Sequence, residues 1–160
     1  MKIIVVSDTH GHNEPFLEAA ISIEKPDLLI HLGDYVRDAQ EIAKVLDIEF
    51  LTVKGNGDYA ARNFNEDELV EINGKKLFLT HGHRHHVSYN RDTLLKKGME
   101  LGADIILYGH THIPLIEKEG NVLIMNPGSP SLPRQWDRKR TFGIITIGDE
   151  IQTEIIEIKS

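Results

Sequence analysis

The stretch Lys2-Ile3-Ile4-Val5-Val6-Ser7-Asp8-Thr9-His10, at the start of the chain, decides the fold. Its apolar run Ile3 to Val6 is a continuous strand signal that ends abruptly in polar residues. Pro15 then opens an amphipathic helical pattern carried by Phe16, Leu17, Ala20 and Ile21. The next strand is Asp27 to Leu32. A second helix follows, with Asp38 placed to cap it and Ala39, Ile42, Ala43 and Leu46 at i, i+3, i+4 and i+7. A third strand runs from Phe50 to Val53. This βαβαβ alternation implies parallel strands, right-handed crossovers and helices packed on the sheet.

Further along, the rhythm changes. Leu69 to Ile72 and Leu77 to Thr80 flank Asn73-Gly74, a strong hairpin signal that adds antiparallel strands. A helix around Arg91 to Leu101 and a buried-type strand at Ile105 to Tyr108 come next. A hairpin then spans Ile113 to Met125 about Glu119-Gly120-Asn121. Thr141 to Ile147 and Ile151 to Ile158 form the last hairpin, turning at Gly148-Asp149. The chain shows no repeat, low-complexity segment or long linker. Its 160 residues match one α/β domain, 1–160, with a mixed sheet or two sheets.

Composition removes several classes of function. With no cysteine, thiolate zinc sites, iron–sulfur clusters, cysteine nucleophiles and disulfide scaffolds are excluded, and only nitrogen and oxygen remain as metal ligands. A net charge of -7 disfavours long nucleic acids as partners, with Arg134, Arg138, Lys139 and Arg140 as the local basic exception. No apolar run approaches the length of a membrane span and no signal-peptide pattern is present, so a cytoplasmic location and no membrane partner are expected. The open edge strands of such a fold are compatible with a homodimer.

Five strand ends carry candidate ligands: Asp8-Thr9-His10, Gly33-Asp34, Gly55-Asn56-Gly57-Asp58, His81-Gly82-His83 and Gly109-His110-Thr111-His112. Sites in open α/β sheets gather at the carboxyl ends of parallel strands, so these distant loops can converge. Turn chemistry explains any single Asp, Asn or Gly among them. It does not explain the i, i+2 pairs His81/His83, His110/His112 and Asp8/His10, all placed directly after strands. All nine histidines lie between His10 and His112, which localises their role. Imidazoles, carboxylates and one amide oxygen suit Mn²⁺, Fe²⁺, Ni²⁺, Co²⁺ or Zn²⁺ better than Mg²⁺ alone. So many ligands exceed the needs of one tetrahedral ion and point to a two-metal site with a bridging carboxylate.

These residues resemble the calcineurin-like metallophosphoesterases, whose pattern is D-x-H, G-D, G-N-H-D/E, H and G-H-x-H in that order. Asn126-Pro127-Gly128-Ser129-Pro130, followed by Pro133-Arg134, is similar to a loop of that family's small single-domain phosphodiesterase branch. The resemblance implies an α/β fold of the four-layer αββα type, a β-sandwich flanked by helices. It further implies that Asp8, His10 and His112 hold one divalent ion, that Asn56, His81 and His110 hold another, and that Asp34 bridges them. Mn²⁺ is the first expectation, with Ni, Fe, Co or Zn as alternatives. The implied activity is hydrolysis of a small phosphodiester by in-line attack of a hydroxide bridging the two ions. No protein nucleophile is needed, since Ser7 and Thr9 border the site without a paired base.

One position departs from the pattern: Gly57 stands where the family has a histidine that contacts phosphate and protonates the leaving group. Gly57 is expected to leave room for the second ester substituent. Asp34, Asn56, Asp58 and His83 are the residues assigned to the reaction, Asp58 by orienting a ligand or the Asn56 loop and His83 by compensating for the missing histidine. His83 would face the ligand side if its segment stays extended. His85 and His86 read as an exposed polar loop, His12 as a loop residue, His31 as a strand residue and Arg134 as a candidate phosphate contact. Two rival readings are a protein-interaction scaffold, as in a related eukaryotic trafficking-complex subunit, and a nuclease.

Overall fold

In the computed structural model, which describes residues 1–159, the N-terminal βαβαβ unit is formed as its periodicity predicts; Ser160, in the expected domain 1–160, lies outside the described residues. It comprises β1 (Lys2–Val6), α1 (Glu14–Ile21), β2 (Leu28–His31), α2 (Val36–Leu46) and β3 (Glu49–Thr52), with β1 parallel to β2 and β2 parallel to β3. The rest of the chain supplies β4 (Asp67–Ile72), β5 (Lys75–Thr80), a 3₁₀ turn (His83–His85), α3 (Asp92–Glu100), β6 (Ile105–Leu107), β7 (Leu115–Glu119), β8 (Val122–Asn126), β9 (Thr141–Ile147) and β10 (Ile151–Glu157). Two five-stranded sheets result, ordered β10-β9-β1-β2-β3 and β4-β5-β6-β8-β7. Both are mixed, because the hairpins add antiparallel strands to the parallel triplets β1-β2-β3 and β5-β6-β8.

Side-chain alternation along the strands explains the layering. Ile3 and Val5 of β1 and Leu28 and Ile30 of β2 face Leu77, Leu79, Ile105 and Leu107 of the other sheet, making the core between sheets. The intervening Ile4, Val6 and Leu29 pack against Phe16 and Ala20 of α1 and Ile42, Ala43 and Leu46 of α2. Phe78 and Ile106 pack outward against Leu94 of α3. Three apolar cores thus separate four layers, helix, sheet, sheet and helix, as expected. The strands buried on both faces are the ones whose apolar runs do not alternate with polar residues.

One local expectation fails. Asp38 does not cap α2: the cap position is Tyr35, with extended backbone and no side-chain cap bond. The Asp38 carboxylate is drawn instead into the interior, where its Oδ2 accepts from Thr9 Oγ1 at 2.5 Å and from the Gly11 N–H at 2.8 Å. These stronger buried partners outweigh a solvent-side cap.

Candidate metal centre

The carboxyl ends of the parallel strands of both sheets meet at one end of the sandwich. Here Asp8 and His81 each commit one side-chain atom to the scaffold and leave another buried with no hydrogen-bond partner among the described residues. Asp8 follows β1; its Oδ2 accepts from Ser7 Oγ at 2.7 Å and from the His110 N–H at 3.0 Å. Its Oδ1 is buried and has no hydrogen-bond partner. Asp34 follows β2; its Oδ1 accepts from the Gly57 N–H at 2.8 Å, while Oδ2 lies 3.8 Å from His10 Nε2 and 3.6 Å from His81 Nε2. His81 follows β5 and is wholly buried; its Nδ1–H donates to the Leu32 carbonyl at 2.6 Å. That bond fixes the tautomer and turns the Nε2 lone pair toward Asp8 and Asp34. His112 is held in the same way by the Leu132 carbonyl at 2.6 Å, with Nε2 at 3.2 Å from Asp8 Oδ1.

Asp8, His10 and His112 therefore form one group able to hold a cation, and Asp8, Asp34 and His81 form a second. His110 and Asn56 adjoin the second group from the solvent side. The His110 ring lies 5.2 Å from that of His81, and its Nδ1 is 3.1 Å from Asn56 Oδ1. All seven sequence-derived candidates are thus brought to one place.

The donor chemistry fits divalent ions. Asp8 Oδ1, His10 Nε2 and His81 Nε2 are buried without hydrogen-bond partners, and the gaps of 3.6–3.9 Å between these nitrogens and the carboxylate oxygens are too long for hydrogen bonds. Cations held by the two groups would satisfy these atoms, and nitrogen with oxygen donors suits first-row ions. Protonation points the same way. Burial, followed by the charge of His81 in the case of His110, holds the His110 and His10 imidazoles below their usual range, against the pull of Asp8 and Asp34. Burial by itself would raise the Asp8 carboxyl, but its interactions with His112, His81 and Ser7 hold it below the usual carboxylate range. Neutral imidazoles beside an ionised carboxylate are the protonation state that metal binding requires.

Asp58 does not enter the cluster. Its Oδ2 accepts from the Asp34 and Gly55 N–H groups, each at 2.8 Å, and Oδ1 from the Val36 N–H at 2.9 Å, tying the Asp34 turn to the Asn56 loop. His83 faces the cluster, its ring 5.4 Å from His81 and 6.2 Å from His110, but by a different route from the one expected. The segment after β5 is not extended; it turns at Gly82 into the 3₁₀ helix His83–His85. His85, expected in an exposed loop, is buried: its Nε2 lies 2.8 Å from Asp67 Oδ2, which pins that turn to β4. His86 and Arg134 are exposed, and the Arg134 N–H donates to the His112 carbonyl.

Three supports were not foreseen as such. His31 is buried behind the centre; its Nδ1 accepts from the Gly33 N–H at 3.1 Å, so its Nε2–H donates to Thr9 Oγ1 at 3.0 Å, and that hydroxyl donates on to Asp38. Ser129 and Ser131 donate to the Asp8 and Thr9 carbonyls, fixing the first turn from across the chain. Asn126 holds the Gly109–Thr111 turn through bonds of 3.0 Å to the Gly109 carbonyl and Thr111 Oγ1. The quoted Asn126–Pro130 loop contains Asn126 and Ser129 but not Ser131; for His31 the only signal is its place one strand away from Asp8-Thr9-His10.

Residues 1–150 match the family model of the calcineurin-like phosphoesterase superfamily domain. The chain is 36% identical over 166 residues to a probable metallophosphoesterase of Methanocaldococcus jannaschii, covering 99% of this chain and 82% of that protein. It is 34% identical over 146 residues to a phosphodiesterase of the same organism, covering 80% of this chain and 83% of the relative. Among solved structures it is similar to Vps29 of Entamoeba histolytica in complex with Zn²⁺, with a TM-score of 0.81 over 99% of this chain and 100% of that one. At 22% identity that last likeness is one of fold.

Proposed function

This chain belongs to the calcineurin-like phosphoesterase superfamily, and we propose that it acts as a metal-dependent phosphodiesterase on small phosphodiesters. The observation that carries this reading is the set of buried donor atoms, Asp8 Oδ1, His10 Nε2 and His81 Nε2, left without partners beside Asp34 Oδ2. Asp8, His10 and His112 would hold one ion, Asn56, His81 and His110 a second, with Asp34 Oδ2 between them; Mn²⁺ is the first choice. When bound, such ions acidify water and neutralise charge on the phosphoryl oxygens.

The chain's own residues supply position. Asp58 fixes the Asp34 turn and the Asn56 loop together, so Asp34 and Asn56 approach from one side while His81 and His110 approach from the other. In hydrolysis a P–O bond to water oxygen forms, the P–O bond to the ester alcohol breaks, and the alcohol leaves with a proton. Gly57 offers no imidazole for that proton. Burial and the neighbouring charge of His81 hold the His83 imidazole below its usual range, so it is neutral near pH 7. Its role is to donate a hydrogen bond to a phosphoryl oxygen, and the leaving alcohol takes its proton from solvent at the open mouth.

The test is to strip the protein with chelator, restore Mn²⁺, Ni²⁺, Zn²⁺ or Mg²⁺ separately, and measure cleavage of bis(p-nitrophenyl) phosphate and p-nitrophenyl phosphate. Metal-dependent cleavage with preference for the diester is expected. Monoester preference would reassign the chain as a phosphatase, and inactivity of folded protein with every metal would turn the assignment to a scaffold.

A further inference from the structure

Resting on the phosphodiester reading, we propose that the cleft beside Gly57 seats an aromatic ester substituent of the substrate. This cleft, of about 530 Å³, opens between the start of α2 and the loop after β3, and is lined by Tyr35, Arg37, Gln40, Gly57, Tyr59 and Phe64. One end reaches the metal centre. The Gly57 N–H donates to Asp34 Oδ1 at 2.8 Å, and the Tyr35 ring stands edge-on to that of His10 with centroids 5.3 Å apart.

Backbone conformation does not call for glycine at position 57, which is absent from the left-handed residues. Space is tight on one side: a Cβ at this position would lie 3.1 Å from Asp34 Oδ1. A side chain here would press on the Asp34 carboxylate, and glycine leaves the space between the cleft and Asp34 open. The walls are aromatic without a folding reason. Tyr59 is 88% exposed and Tyr35 43% exposed, so core packing explains neither, and Phe64 faces the same space. Single exposed aromatics are ordinary, but two exposed tyrosines and the half-buried Phe64 around one cleft at the mouth of a polar site offer a surface for an aromatic ligand.

Ring edges and faces of Tyr and Phe select a planar aromatic group over an alkyl one. Arg37, loosely paired with Glu41 at 3.6 Å, adds a guanidinium that stacks on such a ring, and the Gln40 amide reaches ring heteroatoms. The carboxylate on the wall, Asp58, is engaged by three backbone N–H groups and presents little free charge to an anionic diester. The volume is that of a small-molecule site. Simple aryl esters and nucleoside esters share this chemistry.

The test reads binding and needs no turnover. Isotope-labelled, chelator-treated protein is titrated with diphenyl phosphate and with dimethyl phosphate while backbone amide resonances are followed. Diphenyl phosphate is expected to shift the amides of Gly57, Tyr59 and Phe64 and to bind about fivefold tighter or more. A double variant, Tyr59→Ala with Phe64→Ala, should bring the two ligands to parity while the other resonances keep their positions. Equal affinities in the unmutated protein, or shifts confined to other surfaces, overturn the proposal. Thymidine 5′-phenyl phosphate identifies the source: tighter binding than diphenyl phosphate favours a nucleoside and equal binding a simple aryl group, and both uphold an aromatic seat. Cleavage of bis(p-nitrophenyl) phosphate by metal-loaded protein is scored separately, so failure of the hydrolytic reading is distinguishable from failure of this one.

Discussion

The two arms of the candidate metal centre are built differently. Asp8, His81 and His112 are buried and fastened by hydrogen bonds that cross from one sheet to the other or to the 129–132 loop. Asn56 and His110 sit at the solvent side, and their side chains are joined to each other by one contact of 3.1 Å. The first arm has its geometry from the scaffold; the second is completed by what binds. A centre made this way would keep an ion in a fixed place while leaving one side free to adapt to what binds there. Backbone strain is shared by both arms. Asp8, His10, Asp34, His110 and His112 all have φ between 45° and 67°, a left-handed conformation unfavourable for residues with side chains.

The strongest challenge to this comparison is Asp34→Asn. Its amide oxygen can still accept from Gly57, so the fold should persist with an unchanged unfolding midpoint, while diester hydrolysis falls by about 10³-fold or more. Activity close to that of the unmutated protein would remove Asp34 from the centre. The scaffold behind the buried arm is probed by pH. Burial pushes the His31 imidazole down to about 4, against partial support for its charged form from Asp38, Asp8 and Asp58. Above pH 6.5 it is neutral folded and unfolded and contributes nothing. As pH falls below 6.5 the unfolded chain takes up the proton first, so stability drops until about pH 4, by about 3 kcal/mol in total. Urea unfolding of chelated protein across this range should show that loss, and His31→Gln should flatten it; an unchanged slope would mean that His31 carries no such burden.

Asp58→Asn comes next. One carboxylate serves three N–H donors, and the amide leaves at least one of them unmatched, for about 2 kcal/mol of stability and about 10- to 100-fold in metal affinity. Calorimetric metal titration with thermal unfolding measures both. The smallest effect on folding belongs to Asn56→Ala. An exposed residue in the adaptable arm should change stability by less than about 0.5 kcal/mol while weakening affinity for the second ion about tenfold. A large stability loss would show that this arm, too, is part of the scaffold.

Much of this was legible in the sequence. Apolar runs without polar alternation marked β1, β2 and β6, the Asn73-Gly74 pair marked the β4–β5 hairpin, and placing polar residues directly after strands located all seven candidate ligands. What escaped depends on contacts between distant segments. Asp38 has the spacing of a cap, yet its partners Thr9 and Gly11 lie almost thirty residues earlier in the chain. His85 looks like one of several loop histidines until Asp67 of β4 is beside it. His83 keeps its side of the centre although its backbone turns, because Gly82, at φ 101°, begins a 3₁₀ helix instead of extending the strand. Local pattern records which residues end strands; it does not record which polar atoms meet once two sheets have closed.

The closure has a consequence in time. Translation lays down Asp8 and His10 first, yet Asp8 Oδ2 waits for an amide 102 residues later, and β1 waits for β9 to complete its sheet. Until then the emerging chain presents a carboxylate and an imidazole without the partners that the folded molecule gives them. Tight capture of an ion at this place would thereby be postponed until the distant segments have arrived, so that a bound metal would mark a molecule already folded.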